Sequence, residues 1–184
     1  MKPIENIQQE NKHLVIMAGG IGSRFWPLST PEKPKQFIDI LGCGKTLLQQ
    51  TAERFSRLVP TKNIWVVTSE KYRNIIYEQL PDVPRENILL EPCMRNTAPC
   101  IAYVGWKIKS VSPDAEIIVT PSDHLVKDTD TFVETLSTAL AFIEKNNAIV
   151  TVGISPTSPH TEYGYIAADH RDTTVKRVLS FKET

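Results

Sequence analysis

The fold is decided by residues 14–29, which read Leu14-Val-Ile-Met-Ala-Gly-Gly-Ile-Gly-Ser-Arg-Phe-Trp-Pro-Leu-Ser29. The run from Leu14 to Ala18 is short, continuous and apolar, which predicts a strand buried on both faces of a parallel sheet. Gly19, Gly20 and Gly22 follow at once, so backbone N–H groups can close around an anion without Cβ atoms in the way. The pattern predicts a strand that ends in an anion-binding turn. An ordinary tight turn is the alternative.

Basic side chains follow the glycines. Arg24 supplies a planar guanidinium that suits bidentate contact with phosphate. Lys33 and Lys35 come later, in a proline-rich loop that is not expected to be helical. A strand, a glycine turn, an arginine and a lysine loop together predict a triphosphate site. Each cation has a solvated surface position as its alternative, and Lys33, which directly precedes a proline, fits that alternative better.

Two common nucleotide-binding fingerprints do not fit. The dinucleotide pattern G-x-G-x-x-G fails at Phe25, and the P-loop pattern fails because Asp39 stands where a glycine is required. Lys45-Thr46 is therefore predicted to be a junction between a loop and a helix.

Composition limits the classes of function. The 184 residues suit one domain, with a polar leader over residues 1–12 that lacks the apolar core of a secretion signal. The 21 basic and 21 acidic residues cancel, which argues against nucleic acid or an anionic membrane as a partner. Cys43, Cys93 and Cys100 are widely spaced with no C-x-x-C pair, which favours thiols in a reducing cytoplasm.

The rest of the chain alternates strands and helices. Apolar β-branched runs predict further strands over residues 64–68, 88–90, 116–120 and 148–152. Residues 163–168 and 175–181 alternate apolar and polar side chains, as antiparallel strands at a sheet edge do. Five β-α units joined by right-handed crossovers predict a doubly wound α/β sheet. Ligands of such sheets bind beyond the carboxyl ends of the strands, where the glycine turn, residues 91–97, Asp123 and Gly153 fall.

Helices are predicted between these strands. The first spans residues 46–58, the second is capped by Ser69 and ends before Pro81, and the third begins at Asn96 or Thr97. A capping box formed by Thr131 and Glu134 begins the fourth. The third helix has a small apolar face made of Ala98, Ile101, Ala102, Gly105 and Ile108.

One aspartate is the best candidate for a metal ligand. Asp123 lies just past the end of a strand, in Pro121-Ser-Asp-His124, and Mg²⁺ prefers carboxylate oxygen together with retained waters. A turn-forming aspartate is the alternative.

These motifs resemble a known family. Ala18-Gly-Gly-x-Gly-x-Arg24, followed by Pro-Lys-Gln at residues 34–36, resembles the opening of sugar-phosphate nucleotidyltransferases. Trp26-Pro-Leu-Ser29 and Lys35-Gln-Phe37 are similar to the mannose-1-phosphate guanylyltransferase branch. The resemblance implies a Rossmann-like, doubly wound mixed sheet over residues 13–184. It also implies transfer of GMP from GTP to mannose 1-phosphate with Mg²⁺, releasing pyrophosphate, in a cytoplasmic enzyme that forms a homodimer at full length.

The resemblance also implies roles for individual residues. Catalysis is assigned to Arg24 and Lys35, and the metal to Asp123, because Pro121-Ser-Asp-His124 resembles the family's metal-binding Pro-Ala-Asp-His element. The implied nucleotide-binding residues are Ala18, Gly19, Gly20, Gly22, Ser23, Glu91, Arg95, Asn96, Thr97 and Ser122. The implied sugar-binding residues are Gly153, Tyr163, Gly164 and Glu183.

The loop over residues 91–99 resembles the family's nucleobase loop. Guanine presents N1–H and N2 donors, for which Glu91 is a candidate acceptor. Arg95 or Asn96 contacts the base or caps the next helix. His124 is assigned a structural role, because a sugar phosphate is already an anionic nucleophile and needs no general base.

Two features depart from the family's pattern. Glu162 stands where many members have glycine, which puts mannose itself in doubt, and the chain stops at Thr184 where a lysine is expected. The second metal carboxylate is expected beyond Thr184. We therefore expect an incomplete domain that binds GTP weakly and turns over poorly. Another base or hexose, or a non-catalytic nucleotide-binding module, remains an alternative.

Overall fold

The computed structural model describes residues 10–20, 25–93, 96–161, 163–171 and 174–183. It divides into two compact units, over residues 1–133 and 134–184. Several positions singled out above lie outside the described residues. They are Gly22, Ser23, Arg24, Arg95, Glu162 and residues 1–9 of the leader.

The first unit contains a four-stranded sheet and most of the helices. Its strands are β1 (Lys12–Met17), β2 (Ile64–Ser69), β3 (Ile88–Glu91) and β4 (Glu116–Pro121). Its helices are α1 (Leu47–Arg54), α2 (Arg73–Gln79), α3 (Thr97–Val111) and the start of α4 (Thr129–Ile143), which runs into the second unit. Short 3₁₀ turns lie at Lys35–Phe37, Thr61–Asn63, Glu70–Tyr72 and Arg85–Asn87.

The order of the strands determines where a ligand can bind. The sheet reads β3-β2-β1-β4, and every neighbouring pair is parallel. The chain moves outward from β1 to β2 and β3, and then returns to the other side of β1 to form β4. The order therefore reverses between β1 and β4, and the crevice beyond their carboxyl ends is the expected ligand site of a doubly wound sheet. The α/β doubly wound class is confirmed.

The core explains why these segments form strands and helices. Val15, Trp65 and Val67 pack with Val104 and Ile108 of α3 in one buried cluster. Because Val104 and Ile108 are fully buried, each stabilises the fold by about 1.5–3 kcal/mol relative to an exposed side chain.

The predicted apolar face of α3 was only partly correct, because Ile108 is buried as expected but Cys100 and Val104 were not included. The buried positions are Cys100, Val104 and Ile108, whereas Ala98 and Ala102 are exposed. Residues four apart share a helix face, and the face with the larger side chains removes more apolar area from water.

Aromatic pairs fix the segments around β1. The Phe37 and Tyr72 rings lie 5.2 Å apart, and the Tyr72 hydroxyl donates to the carbonyl of Pro31 at 2.8 Å. The Phe55 and Phe132 rings meet edge to face at 5.4 Å. The long loop before α1 is therefore tied to the core.

Only some of the predicted capping residues cap their helices. Thr46 caps α1 in a capping box with Gln49, which confirms the loop-to-helix junction, although the helix ends at Arg54. Ser69 makes no capping bond, because a 3₁₀ turn separates it from α2. The box predicted at Thr131 was also wrong, because Asp128 accepts from the Thr131 backbone N–H at 3.0 Å and so caps α4.

The second unit contains a hairpin-like antiparallel pair. Strands β5 (Tyr165–Ala168) and β6 (Val178–Lys182) pair with each other in a separate two-stranded sheet, rather than at the edge of the four-stranded one as expected. The strand predicted over residues 148–152 is absent, and the Ile149 side chain is fully exposed. An apolar run forms a strand only when a neighbouring strand accepts its backbone hydrogen bonds.

No helix among the described residues combines the length and the apolar character needed to cross a bilayer.

Candidate active site

The glycine turn begins inside the core at Ala18 and reaches the surface at Gly20. Ala18 is fully buried, and its N–H donates to the Val67 carbonyl at 2.8 Å. Its own carbonyl accepts from the Thr68 hydroxyl at 3.0 Å. Gly20 is exposed, and a Cβ added there would meet nothing within 4 Å. No contact among the described residues requires a glycine at this position.

The end of β4 is fixed beside this turn. The Ser122 N–H donates to the Met17 carbonyl at 3.1 Å, which continues the β1–β4 pairing. The Thr51 hydroxyl donates to the Ser122 carbonyl at 3.4 Å, and Arg54 Nη2 donates to the His124 carbonyl at 3.0 Å. Both bonds come from α1. The backbone on each side of Asp123 is therefore held, and His124 contributes through its main chain.

Lys35 and Asp123 form an ion pair at this end of the sheet. Lys35 Nζ lies 2.7 Å from Asp123 Oδ2, and each side chain is 25% exposed. Lys35 Nζ also lies 5.0 Å from the centroid of the Phe25 ring. A single pair that is partly open to solvent contributes about 1 kcal/mol or less to folding. Lys35 and Asp123 can therefore leave their ion pair and contact ligands instead, at a small cost in the free energy of folding.

The Lys35–Phe37 turn holds three regions together. Lys35 reaches the end of β4, Gln36 donates to the glycine turn, and Phe37 packs in the core against Tyr72. The Phe37 carbonyl also accepts from Gln79 Nε2 at 3.1 Å. Because Gln36 and Phe37 are buried, the fold fixes the backbone from which Lys35 reaches Asp123.

The carboxyl end of β3 carries an acidic group. Burial raises the pKa of Glu91 above its usual range. Burial and, secondarily, the Glu91 charge raise the pKa of the Cys100 thiol to about 11. All three cysteines are free thiols, as the sequence predicted. Cys43 and Cys93 are exposed and Cys100 is buried.

The start of α3 differs from the expected capping. Asn96 occupies the N-cap position with a φ of 68° and makes no side-chain hydrogen bond to the helix. Its ψ of −173° lies outside the left-handed helical region in which asparagine is common, in a region that residues other than glycine rarely occupy. Asn96 and Thr97 are both exposed, so their side chains face solvent at the strand ends.

The predicted sugar-binding residues lie in the second unit. Gly153, Tyr163, Gly164 and Glu183 are all exposed. A Cβ at Gly164 would make ordinary contact with the Lys182 carbonyl at 3.6 Å, and one at Gly153 would meet nothing within 4 Å. The Tyr163 and His160 rings lie 4.7 Å apart. That these residues bind sugar, and share a site with the glycine turn, stays a prediction.

The donor set suits a cation held jointly with a ligand. Within the described ranges no group of three or more His, Cys, Asp or Glu side chains is arranged to hold a metal ion. Mg²⁺ in phosphate-binding sites is commonly held by one or two carboxylates, with phosphate oxygens and waters completing its shell. The Asp123 carboxylate, partly exposed at the switch point, fits one such position.

Sequence reasoning missed the parts of the site that depend on distant contacts. Gln36 was noted only as part of Pro-Lys-Gln, and Thr68 only as the end of a strand. Nothing in the local pattern distinguished either residue as an anchor of the glycine turn. What the two residues share is a polar side chain that is buried, and this feature becomes visible only in the fold.

Comparison with known proteins identifies the family of the chain. Residues 13–184 match the family described as Nucleotidyl transferase. This chain belongs to the nucleotidyl transferase family. A mannose-1-phosphate guanylyltransferase of Escherichia coli is 42% identical over 156 residues, which cover 83% of this chain and 33% of the relative. Its counterpart in Escherichia coli strain K12 is 39% identical, with 95% and 38% covered.

A solved structure supports the fold independently. The protein described as mannose-1-phosphate geranyltransferase from Thermus thermophilus matches with a TM-score of 0.83 and 34% identity, covering 94% of this chain and 50% of that one. The chain thus spans about a third of the length of these curated nucleotidyltransferase relatives and half of the solved structure.

Proposed function

We propose that this chain binds GTP with Mg²⁺ and transfers GMP to mannose 1-phosphate, giving GDP-mannose and pyrophosphate. The observation that carries the proposal is the Lys35–Asp123 ion pair at the switch point, directly beside the glycine turn. It places one ammonium and one carboxylate where a polyphosphate and its cation need opposite charges. The named activities of the relatives supply the reaction.

The reaction needs positioning and charge compensation more than proton transfer. An oxygen of the sugar phosphate attacks the α-phosphorus of GTP, a new P–O bond forms, and the bond from the α-phosphorus to the bridging oxygen breaks. Lys35 would offset negative charge on the triphosphate, and the N–H groups of the glycine turn would donate to its oxygens. Arg24 has the same proposed role as Lys35. Asp123 would hold Mg²⁺, which when bound offsets the charge of the phosphates.

The ion pair makes the two ligands interdependent. Without ligand, Lys35 and Asp123 neutralise each other at 2.7 Å. A polyphosphate competes for Lys35, and a cation competes for Asp123, so each ligand releases the side chain that the other requires. By linkage, nucleotide and cation should raise each other's affinity.

Glu91 is the proposed acceptor for guanine. Its carboxyl group lies at the carboxyl end of β3, in surroundings dry enough to raise its pKa. A partly desolvated acceptor forms stronger hydrogen bonds with the N1–H and N2 donors of guanine, and adenine lacks that pair of donors.

Thermal denaturation with a panel of nucleotides tests the binding proposal. We expect GTP with Mg²⁺ to raise the Tm more than ATP, UTP or dTTP do. A clear preference for ATP would contradict the guanine assignment, and no stabilisation by any nucleotide would contradict the site itself. Pyrophosphate release on adding mannose 1-phosphate tests the transfer step separately. That this step is slow in the present chain stays a prediction.

A further inference from the structure

Gln36 joins the proline-rich loop to the start of the glycine turn. The residue is 2% exposed. Its Nε2 donates to the Gly20 carbonyl at 2.7 Å and lies 3.4 Å from the Ala18 carbonyl, 16 and 18 residues away in the sequence. The Thr68 hydroxyl donates to the same Ala18 carbonyl at 3.0 Å. Two buried side chains therefore hold the turn from its inner side.

Holding a carbonyl also directs an N–H group. The peptide unit is planar and trans, so the N–H of Gly19 points away from the Ala18 carbonyl to which it is joined. When Gln36 and Thr68 fix that carbonyl inward, the Gly19 N–H is turned outward. Glycines alone leave this direction unset, because they permit many backbone conformations at similar energy.

We propose that Gln36 is a positioning residue for polyphosphate binding: its buried carboxamide holds the start of the glycine turn so that the Gly19 N–H faces the ligand. This inference rests on the proposed function of the same site. Gln36 adjoins Lys35, so one short turn places both the ammonium and the backbone donors. The turn is then ordered when the chain folds, so that ligand binding does not carry the entropic cost of ordering it.

A purely structural role is the competing explanation, and the chain contains a matched example of one. Asn87 is also buried, and its Nδ2 donates to the carbonyls of Lys62 and Ile64 at 2.9 and 3.1 Å. Those contacts lie at the amino ends of the strands, far along β2 from the glycine turn. Asn87 thus repeats the hydrogen-bonding pattern of Gln36 without the proposed ligand.

The test compares Gln36→Met with Asn87→Leu, two substitutions that keep side-chain size and remove the amide. Calorimetry measures the affinity of each variant for inorganic tripolyphosphate and for GTP, with Mg²⁺, and thermal denaturation measures stability. We expect both variants to lose stability. Only Gln36→Met should also weaken the binding of tripolyphosphate and GTP, by about tenfold or more.

Each outcome decides the matter. Equal affinities in the unsubstituted chain and Gln36→Met would overturn the inference and leave GTP binding intact. If the unsubstituted chain binds neither ligand, the proposed function fails, and the inference with it. If Gln36→Met does not fold, Thr68→Val replaces it, because that variant removes the second bond to Ala18 without changing shape. It should weaken tripolyphosphate binding by about threefold, and an unchanged affinity would overturn the inference.

Discussion

Two regions were expected to bind substrate: the carboxyl end of the four-stranded sheet and the loops of the second unit. They differ in the contacts that their residues make. At the sheet, Ala18, Ser122 and Lys35 have hydrogen bonds or ion pairs to distant parts of the chain. In the second unit, Gly153 and Tyr163 are exposed. The described contacts join the proposed nucleotide-binding residues to distant parts of the first unit, whereas the residues predicted to bind sugar are exposed and contact neighbours within the second unit, such as His160 beside Tyr163.

The largest effect is expected from Lys35→Met. Losing the ammonium leaves the triphosphate without a cation that the fold positions, so the affinity for GTP with Mg²⁺ should fall by about tenfold to a hundredfold. Isothermal calorimetry measures it. Lys33→Met is the matched control, since that lysine is exposed in the same loop. Equal losses of GTP affinity in the two variants would mean that binding depends only on general surface charge. The carboxyl end of the sheet would then have no specific role in binding.

Asp123→Asn should change how the affinity for tripolyphosphate depends on Mg²⁺. The substitution frees Lys35 from its ion pair and removes a negative charge, so tripolyphosphate without metal should bind several-fold more tightly. The extra affinity that Mg²⁺ gives to the unsubstituted chain should disappear. Titrations with EDTA and with Mg²⁺ separate the two effects. Tighter metal-dependent binding in the variant would remove Asp123 from the proposed site.

A substitution in the second unit tests whether its exposed residues contribute to GTP binding. Tyr163→Ala should leave the affinity for GTP within about twofold, because the ring is exposed and its closest described aromatic neighbour is His160. Any loss should concern mannose 1-phosphate, measured as pyrophosphate release at varied sugar concentration. A large loss of GTP affinity would show that the two regions act as one nucleotide site.

Cysteine reactivity reports on the packing between α3 and the sheet. Burial and the Glu91 charge raise the pKa of Cys100 to about 11, so this thiol should resist alkylation at about pH 8 while the exposed Cys43 and Cys93 react. Mass spectrometry of the labelled chain identifies the sites. Rapid labelling of Cys100 under native conditions would contradict the described core.

The smallest effect concerns pH and lies away from both proposed binding regions. Burial lowers the pKa of His13, whose Nδ1 accepts from Trp65 Nε1 at 3.1 Å, while its buried Nε2 has no partner among the described residues. The unfolded chain binds this proton first, so stability should fall as the pH drops through about 6.5 towards the lowered folded value. His13→Gln should flatten that decline by a few degrees in Tm, on the order expected for one buried histidine. Parallel profiles for both chains would refute the assignment.

The sequence revealed those parts of the fold that depend on neighbouring residues. The strand before Gly19, the strand before Pro121 and the capping of α1 by Thr46 follow from local pattern. Asp123 was placed at the correct strand end for the same reason. These predictions need only the period of the apolar residues and the chemistry of short turns.

The remainder depends on contacts that no local pattern contains. The Gln36 bond to Gly20 spans 16 residues, and the Lys35–Asp123 pair joins a loop to the far end of β4. The face of α3 was misassigned because two apolar stripes were available and packing volume decided between them. The run over residues 148–152 has strand composition, but the pairing that would make it a strand was not visible in its own residues.

Strand order also determines the sequence in which the charges of the site are assembled during synthesis. The ribosome releases the glycine turn, Lys35 and Gln36 long before β4, because β4 follows three helices. The crevice between β1 and β4 therefore forms only when β4 docks alongside β1, and before that Lys35 has no Asp123 with which to pair.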